Sequence, residues 1–283
     1  MYERIVVAVD GSPFSEEVIP YALGIAKATG AKVTLLRIAE KGTLAEAEEY
    51  LQMLAALNPV ETRVVESQRS VPEDILREAN STPNSLVAVT SHGRGGVLIA
   101  VLGSVAREIV QVSHNPVLVY RPEEESIGHD PIRITSVLLP LDGSALSESM
   151  KPQAAEWARA LGVPLTVVQV LPSTKRMDSL LASYDALDSS YVTSHATDIA
   201  REYGVQTDWE VLHGDPADAI ARYLDGRRDV LAVMATREQN VVKAAVLGSV
   251  TSGMVHKAGI PIVVQAPARA MQDAVSNVRA ERR

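Results

Sequence analysis

The chain has 283 residues, an apolar fraction of 46% and a formal net charge of −8, a length that accommodates two domains of about 150 residues each. The acidic balance and an aromatic content of only 4% argue against nucleic acid as a partner, because such binding runs on phosphate neutralisation and base stacking. No apolar run approaches the ~18 residues of a membrane span, and the absence of cysteine excludes disulfides, thiolate catalysis and cysteine-ligated metal. Met1-Tyr2-Glu3-Arg4 enters a strand-like run with neither a basic leader nor a cleavage site, so a cytoplasmic protein is expected.

Short β-branched runs at 4–9, 32–38, 60–66, 85–90 and 116–120 are near-continuous in Val, Ile and Leu, the pattern of strands buried on both faces. Between them Val18, Ala22, Ile25 and Ala26 keep helical spacing, as do Leu44, Ala47, Leu51, Leu54 and Ala55, then Val105, Ile109 and Val110. Gly30 is placed to end the first helix in a left-handed cap, and Pro20 predicts that this helix starts late or kinks. Arg121 to Arg133 is polar, carries Glu123-Glu124-Glu125 and two prolines, and reads as a linker.

The same order then repeats. Ile5-Val6-Val7-Ala8-Val9-Asp10-Gly11-Ser12 aligns with Val137-Leu138-Leu139-Pro140-Leu141-Asp142-Gly143-Ser144. Pro20 falls on Pro152, Gly30 on Gly162, Pro72 on Pro216, and Gly103-Ser104 on Gly248-Ser249. The second copy is longer between Pro172 and Val205. Strand and helix alternating through five strands per copy predicts a parallel, doubly wound sheet in each. The expected division is a domain at 1–122, a linker at 123–133, a second domain at 134–268 and a mobile tail with a basic end at 269–283.

In such sheets ligands bind beyond the carboxyl ends of the strands. A glycine-rich turn, His92-Gly93-Arg94-Gly95-Gly96, follows the fourth strand, and Gly103-Ser104 then opens a helix. Glycines let backbone N–H groups approach phosphate oxygens, and a helix N-terminus adds donors and a favourable dipole. Asp10, ending the first strand, can accept from a ribose hydroxyl or an adenine amine, and Ile38 can line a base slot. The plain alternative is that Ser104 and Ser249 are helix N-caps and the glycines are turn residues. The six histidines form no zinc-like spacing and no evident carboxylate–histidine cluster. Asp215 reads as a helix cap, and Met234 as core.

These residues make the chain resemble a tandem universal stress protein. That family's nucleotide signature is glycine, two residues, glycine, nine residues, glycine, then serine or threonine. It is met here by Gly93, Gly103 and Ser104, with Thr90 at the leading glycine. The Asp10-Gly11-Ser12 turn and Asn115-Pro116-Val117-Leu118-Val119 are also similar to the family. The resemblance covers 3–122 and 134–266. It implies an α/β fold of two tandem five-stranded parallel doubly wound domains, HUP-like or flavodoxin-like, joined as an internal pseudo-dimer through their fifth strands, 116–120 and 261–265. Whether chains dimerise further stays open.

The resemblance further implies an adenine nucleotide, ATP with Mg²⁺ as its companion ion, and a regulatory role in the stress response. One branch of the family binds ATP and another has lost the loop. Asp10 and Ile38 would hold the nucleoside, with Ala8, Val9 and Thr90 beside them. Gly93, Arg94, Gly103, Ser104 and Val105 would hold the phosphates. In the second copy Asp142, Val170, Gly248 and Ser249 remain, but Ala235 and Glu238 stand at the two loop glycines. A carboxylate there opposes a triphosphate, so the second site is expected to be weak or empty.

Rival chemistries fare poorly. An aspartate-nucleophile phosphatase needs a second aspartate where Ala8 and Pro140 stand, a receiver domain needs an aspartate where Glu66-Ser67 stands, and a dinucleotide-binding dehydrogenase needs glycines after the first strand, where only Gly11 occurs. The expectation is therefore a binder and not an enzyme. A slow ATPase and a nucleotide-free interaction module are the alternatives.

Overall fold

The computed structural model describes residues 2–91, 102–122, 128, 130–172, 181–238 and 245–266, with side chains omitted at 181–188, 237–238 and 245–246. The linker residues 123–127 and 129, the tail, and His92, Gly93 and Arg94 lie outside the described residues.

The first repeat runs β1 (Arg4–Ala8), α1 (Pro13–Glu16), α2 (Ile19–Thr29), β2 (Lys32–Ala39), α3 (Leu44–Ala55), β3 (Glu61–Glu66), α4 (Val71–Ala79), β4 (Ser85–Thr90), α5 (Ser104–Val112) and β5 (Val117–Tyr120). The second runs β6 (Ser136–Leu141), α6 (Ala145–Glu148), α7 (Lys151–Leu161), β7 (Leu165–Leu171), α8 (Leu181–Tyr203), β8 (Thr207–His213), α9 (Pro216–Tyr223), β9 (Val230–Glu238), β10 (Ala245–Leu247), α10 (Ser249–Lys257) and β11 (Ile262–Gln265). The extra length of the second copy goes largely into α8, which has 23 residues against 12 in α3. No helix among the described residues is long and apolar enough to cross a membrane.

Each repeat builds five parallel strands, and the two sets join into one sheet of order β3-β2-β1-β4-β5-β11-β9-β6-β7-β8. The join is the expected pairing of fifth strands. It is antiparallel, with Ile262 opposite Val119, Val263 opposite Leu118 and Val264 opposite Val117. All of β5 and β11 is buried. The sheet's two outer strands, β3 and β8, instead carry charge (Glu61, Arg63 and Glu66; Asp208 and Glu210), which blunts an edge against foreign strands.

Alternation along the strands divides the core. Ile5, Val7 and Val9 point to one face, packed with residues of α2, α3, α7 and α8, whereas Val6 joins the cluster under α4, α5, α9 and α10. On the first face α2 packs on α7 across the join. The Tyr2 ring lies 5.3 Å from that of Trp157, and the Tyr2 hydroxyl donates to Gln265 Oε1 at 3.4 Å.

Pro20 starts its helix late: it occupies the first turn of α2, where its missing N–H is no loss. Pro152 does the same in α7. Gly30 and Gly162 end these helices with φ of 79° and 68°, the left-handed caps expected. Asp215 caps α9 by accepting from the Asp218 amide. The short helices α1 and α6 and the strand β10 carry no periodicity and escape the sequence pattern.

The end of the linker is bound to α2. Ile132 donates its amide to the Pro20 carbonyl at 3.0 Å, and its own carbonyl lies 1.7 Å from where a Cβ on Gly24 would stand. Gly24 is therefore the slot that lets backbone cross helix. Gly24→Ala should lift the linker and cost about 1–3 kcal/mol, as overpacking does. A urea-unfolding series would read this as a lowered midpoint, and an unchanged midpoint would contradict the close crossing.

Candidate functional site

At the carboxyl end of the first repeat's strands, the chain turns sharply after Val9. Gly11 has φ 82°, which favours glycine. Asp10 Oδ1 accepts from the Ser12 amide at 2.9 Å and the Ser12 hydroxyl at 2.6 Å, and the Asp10 amide donates to Ser15 Oγ at 3.1 Å. These bonds fix the carboxylate's direction at the strand end. The turn is anchored from outside by Tyr50 on α3, whose hydroxyl donates to Glu16 Oε1 at 2.9 Å. Burial first, then that hydrogen bond, push the Tyr50 hydroxyl well above its ordinary pKa.

Behind the turn lies a cavity of about 510 Å³. Of the residues expected at the nucleotide, Ala8, Val9, Asp10, Ile38, Thr90 and Val105 line it. Arg37, Glu40, Thr43 and Glu46 line it too. Sequence reasoning missed these four: Arg37 lies near the end of β2, and Glu40, Thr43 and Glu46 follow it without a motif.

Gly103 takes the N-cap position of α5 and Ser104 is its first helical residue, which overturns the reading of Ser104 as the cap. The Gly103 amide is spent on the Ser91 carbonyl at 2.5 Å. Helix geometry leaves the amides of Ser104, Val105 and Ala106 without intrahelical partners at this end, whereas that of Gly103 is taken from outside the helix. Gly248 and Ser249 repeat the arrangement in α10, so Ser249 is not a cap either.

The second repeat keeps the first turn and loses the room. Asp142 Oδ1 accepts from the Ser144 amide at 3.0 Å and from the Ser144 and Ser147 hydroxyls, each at 2.6 Å. Burial raises its pKa, but these hydrogen bonds outweigh it and hold the carboxyl below its ordinary range. The cavity behind is only about 90 Å³; Asp142, Val170 and Gly248 line it together with Met234. Met234 is buried core, as expected, and also a wall.

The loop after β9 has also changed. β9 continues three residues past the position matching the end of β4 and pairs antiparallel with β10: Thr236 with Leu247, Arg237 with Val246, Glu238 with Ala245. Glu238, expected in a phosphate loop, has its backbone in this hairpin. A ladder consumes backbone donors that a phosphate would otherwise receive.

Beside the second turn the structure assembles a cluster the sequence did not reveal. Tyr191 donates to Glu148 Oε1 at 2.8 Å, His195 Nε2 lies 3.4 Å from the same oxygen, and Lys151 Nζ lies 2.7 Å from His195 Nδ1. Lysine can only donate. The lysine ammonium thus donates toward His195 Nδ1, and Nε2 faces Glu148. The expected lack of a carboxylate–histidine cluster is thus corrected. The only signal was Glu148 standing where the first repeat has Glu16, and the longer α8 hides the register of the tyrosine. Among the described residues no group of three His, Asp or Glu could hold a metal ion.

A model of the universal stress protein family matches residues 1–52, 38–121 and 134–265. A universal stress protein of Mycobacterium tuberculosis is 27% identical over 186 residues, 65% of this chain and 62% of that protein; the match thus spans less than two thirds of the relative. A universal stress protein of Archaeoglobus fulgidus has a similar fold, with TM-score 0.61 and 17% identity over 95% of this chain and all of that one. Another solved structure from that organism is a universal stress protein in complex with dAMP; it is 26% identical, covering 47% of this chain and 98% of that one, with TM-score 0.36.

The Tyr191–Glu148 bond generates a pH test. The Tyr191 hydrogen bond, opposed by burial and reinforced by His195 and Lys151, holds the Glu148 carboxyl below its ordinary 4.5. A depressed carboxyl contributes stability that is complete above its unfolded pKa and is lost as pH falls through the folded one. Tyr191→Phe should therefore cost about 1 kcal/mol at neutral pH, with the difference from wild type shrinking below Glu148's folded pKa. Urea midpoints measured across the acid range check it; a difference independent of pH would contradict the assignment.

Proposed function

The chain belongs to the universal stress protein family, and from that premise we propose that its first repeat binds one adenine nucleotide, ATP, and that its second repeat binds none. The observation that carries this reading is the contrast between the two cavities. The first, about 510 Å³, lies within the ~300–1,000 Å³ of small-molecule sites and contains Asp10 at one end and the start of α5 at the other. The second is about 90 Å³, and the backbone beyond it is drawn into a hairpin.

The residues suit the ligand. Apolar Ile38, Val89 and Val105 offer walls for a base, Asp10 accepts from ribose hydroxyls, and the first amides of α5 meet phosphate oxygens at the favourable end of the helix dipole. Gly93 and Arg94 would complete the phosphate end by family resemblance. Mg²⁺ would reach the site on the phosphates themselves and neutralise part of their charge.

In this reading the protein is a regulator in the stress response, not a catalyst. ATP acts as a ligand that shifts a conformational equilibrium by binding one state better than another.

Denaturing the purified protein and chromatographing the released small molecules should give close to one adenine nucleotide per chain. Asp10→Ala should weaken ATP binding about tenfold by calorimetry, the loss of roughly one charge-assisted hydrogen bond. Asp142→Ala should leave binding unchanged. Two nucleotides per chain would sink the asymmetry, none would sink the binder, and sustained phosphate release abolished by Asp10→Ala would favour the slow ATPase.

A further inference from the structure

We propose that the second cavity is closed to a nucleoside by the direct contact of α10 with α9 at Gly253 and Ala217, which makes Gly253 the residue that decides which half of the chain accepts ligand. The proposal rests on the adenine-nucleotide reading and supplies a cause for its asymmetry.

A Cβ on Gly253 would lie 2.4 Å from the Ala217 Cβ, far inside van der Waals contact. The two helices can be as close as they are only because residue 253 has no side chain. Glycine is unfavourable in a helix interior, and Gly253 sits inside α10, so the position needs a packing reason. The close approach supplies one.

The first repeat shows the alternative. Its residues at the matching positions are Glu108 for Gly253 and Glu73 for Ala217. Glu108 stands between α5 and the start of α4, where its Oε1 accepts from the Ser70 hydroxyl at 3.5 Å. A carboxylate side chain thus occupies the space that the second repeat eliminates.

Both helix pairs begin at their cavity. Val71 of α4 and Val105 of α5 line the large one; Pro216 of α9 and Val250 of α10 line the small one. Moving α10 toward α9 therefore draws two walls of the second cavity together. The nucleoside end of that cavity otherwise retains its parts, Asp142 on its turn and Val170 on the wall, so the residues that would contact a nucleoside do not explain the loss. A rival cause is Met234, which stands where the first repeat has the smaller Val89.

The test uses adenosine, which has no phosphate and so takes no account of Glu238 or the hairpin. Methyl resonances report the two cavities separately: Ile38, Ile75 and Val89 for the first, Val168, Val170 and Ile220 for the second. In the wild-type chain, adenosine at millimolar concentration should shift the first set only. In Gly253→Glu it should shift both. Gly253→Ala, a smaller wedge, serves if the glutamate variant does not fold, and the first-cavity shifts certify folding in either.

Second-cavity methyls that stay still in the Gly253 variants while first-cavity methyls shift would overturn the proposal and leave the nucleotide reading intact. So would second-cavity shifts already present in the wild type, or a second cavity opened by Met234→Val but not by Gly253→Glu. If neither set moves in any variant, the nucleotide reading falls and the proposal with it.

Discussion

Everything in this molecule is arranged around the antiparallel ladder between β5 and β11. Each repeat alone would end its sheet in a short, largely apolar strand with an unpaired edge, the kind of surface that recruits foreign strands. Joining the two edges satisfies both at once and buries Val117, Leu118, Val119, Ile262, Val263 and Val264 at the centre of a continuous sheet. The outer strands can then afford charged, partly exposed faces. The packing of α2 on α7 and of Tyr2 on Trp157 follows from the join, because the pairing brings those helices together over the same face.

Within that frame the repeats have diverged where ligand chemistry would be decided and not where folding is. The Asp-Gly-Ser turn, the glycine helix caps and the glycine before α5 and α10 survive in both copies. So does the tyrosine–glutamate bond that anchors the turn, Tyr50 to Glu16 and Tyr191 to Glu148. What changed is around it. Ile19 and Leu54 are buried apolar residues in the first copy; in the second, which is longer between Pro172 and Val205, Lys151 and His195 add a polar cluster beside the same bond. The second half accommodates a hairpin, a longer helix and a close α9–α10 approach without losing the core.

Much of this was legible in the amino-acid order because the inner strands are short, β-branched and buried on both faces, and because repetition doubled each weak signal. Pro20 with Pro152 and Gly30 with Gly162 fixed helix ends by backbone chemistry alone. What stayed hidden depended on distances across the fold. Nothing near Gly24 announces that Ile132 will cross it. Thr236 to Glu238 looks like the degenerate loop of a binding site, and its pairing with β10 has no turn motif of its own. Tyr191, Glu148 and His195 are scattered along the chain and meet only because α8 lies against the turn after β6. The lining of the first cavity by Arg37, Glu40, Thr43 and Glu46 is likewise a matter of where the chain passes, not of a pattern it carries.

The sense of the central ladder carries one more consequence. Since β5 and β11 run in opposite directions, the carboxyl ends of the two parallel sets emerge at opposite rims of the sheet, and the two cavities with them. Divergence has therefore given a nearly two-fold body a head and a foot. A macromolecule approaching one rim would meet the roomy cavity and the start of α5, whereas at the other it would meet the tight one and the β9–β10 hairpin. Recognition of such a body is directional even though its scaffold is almost symmetric.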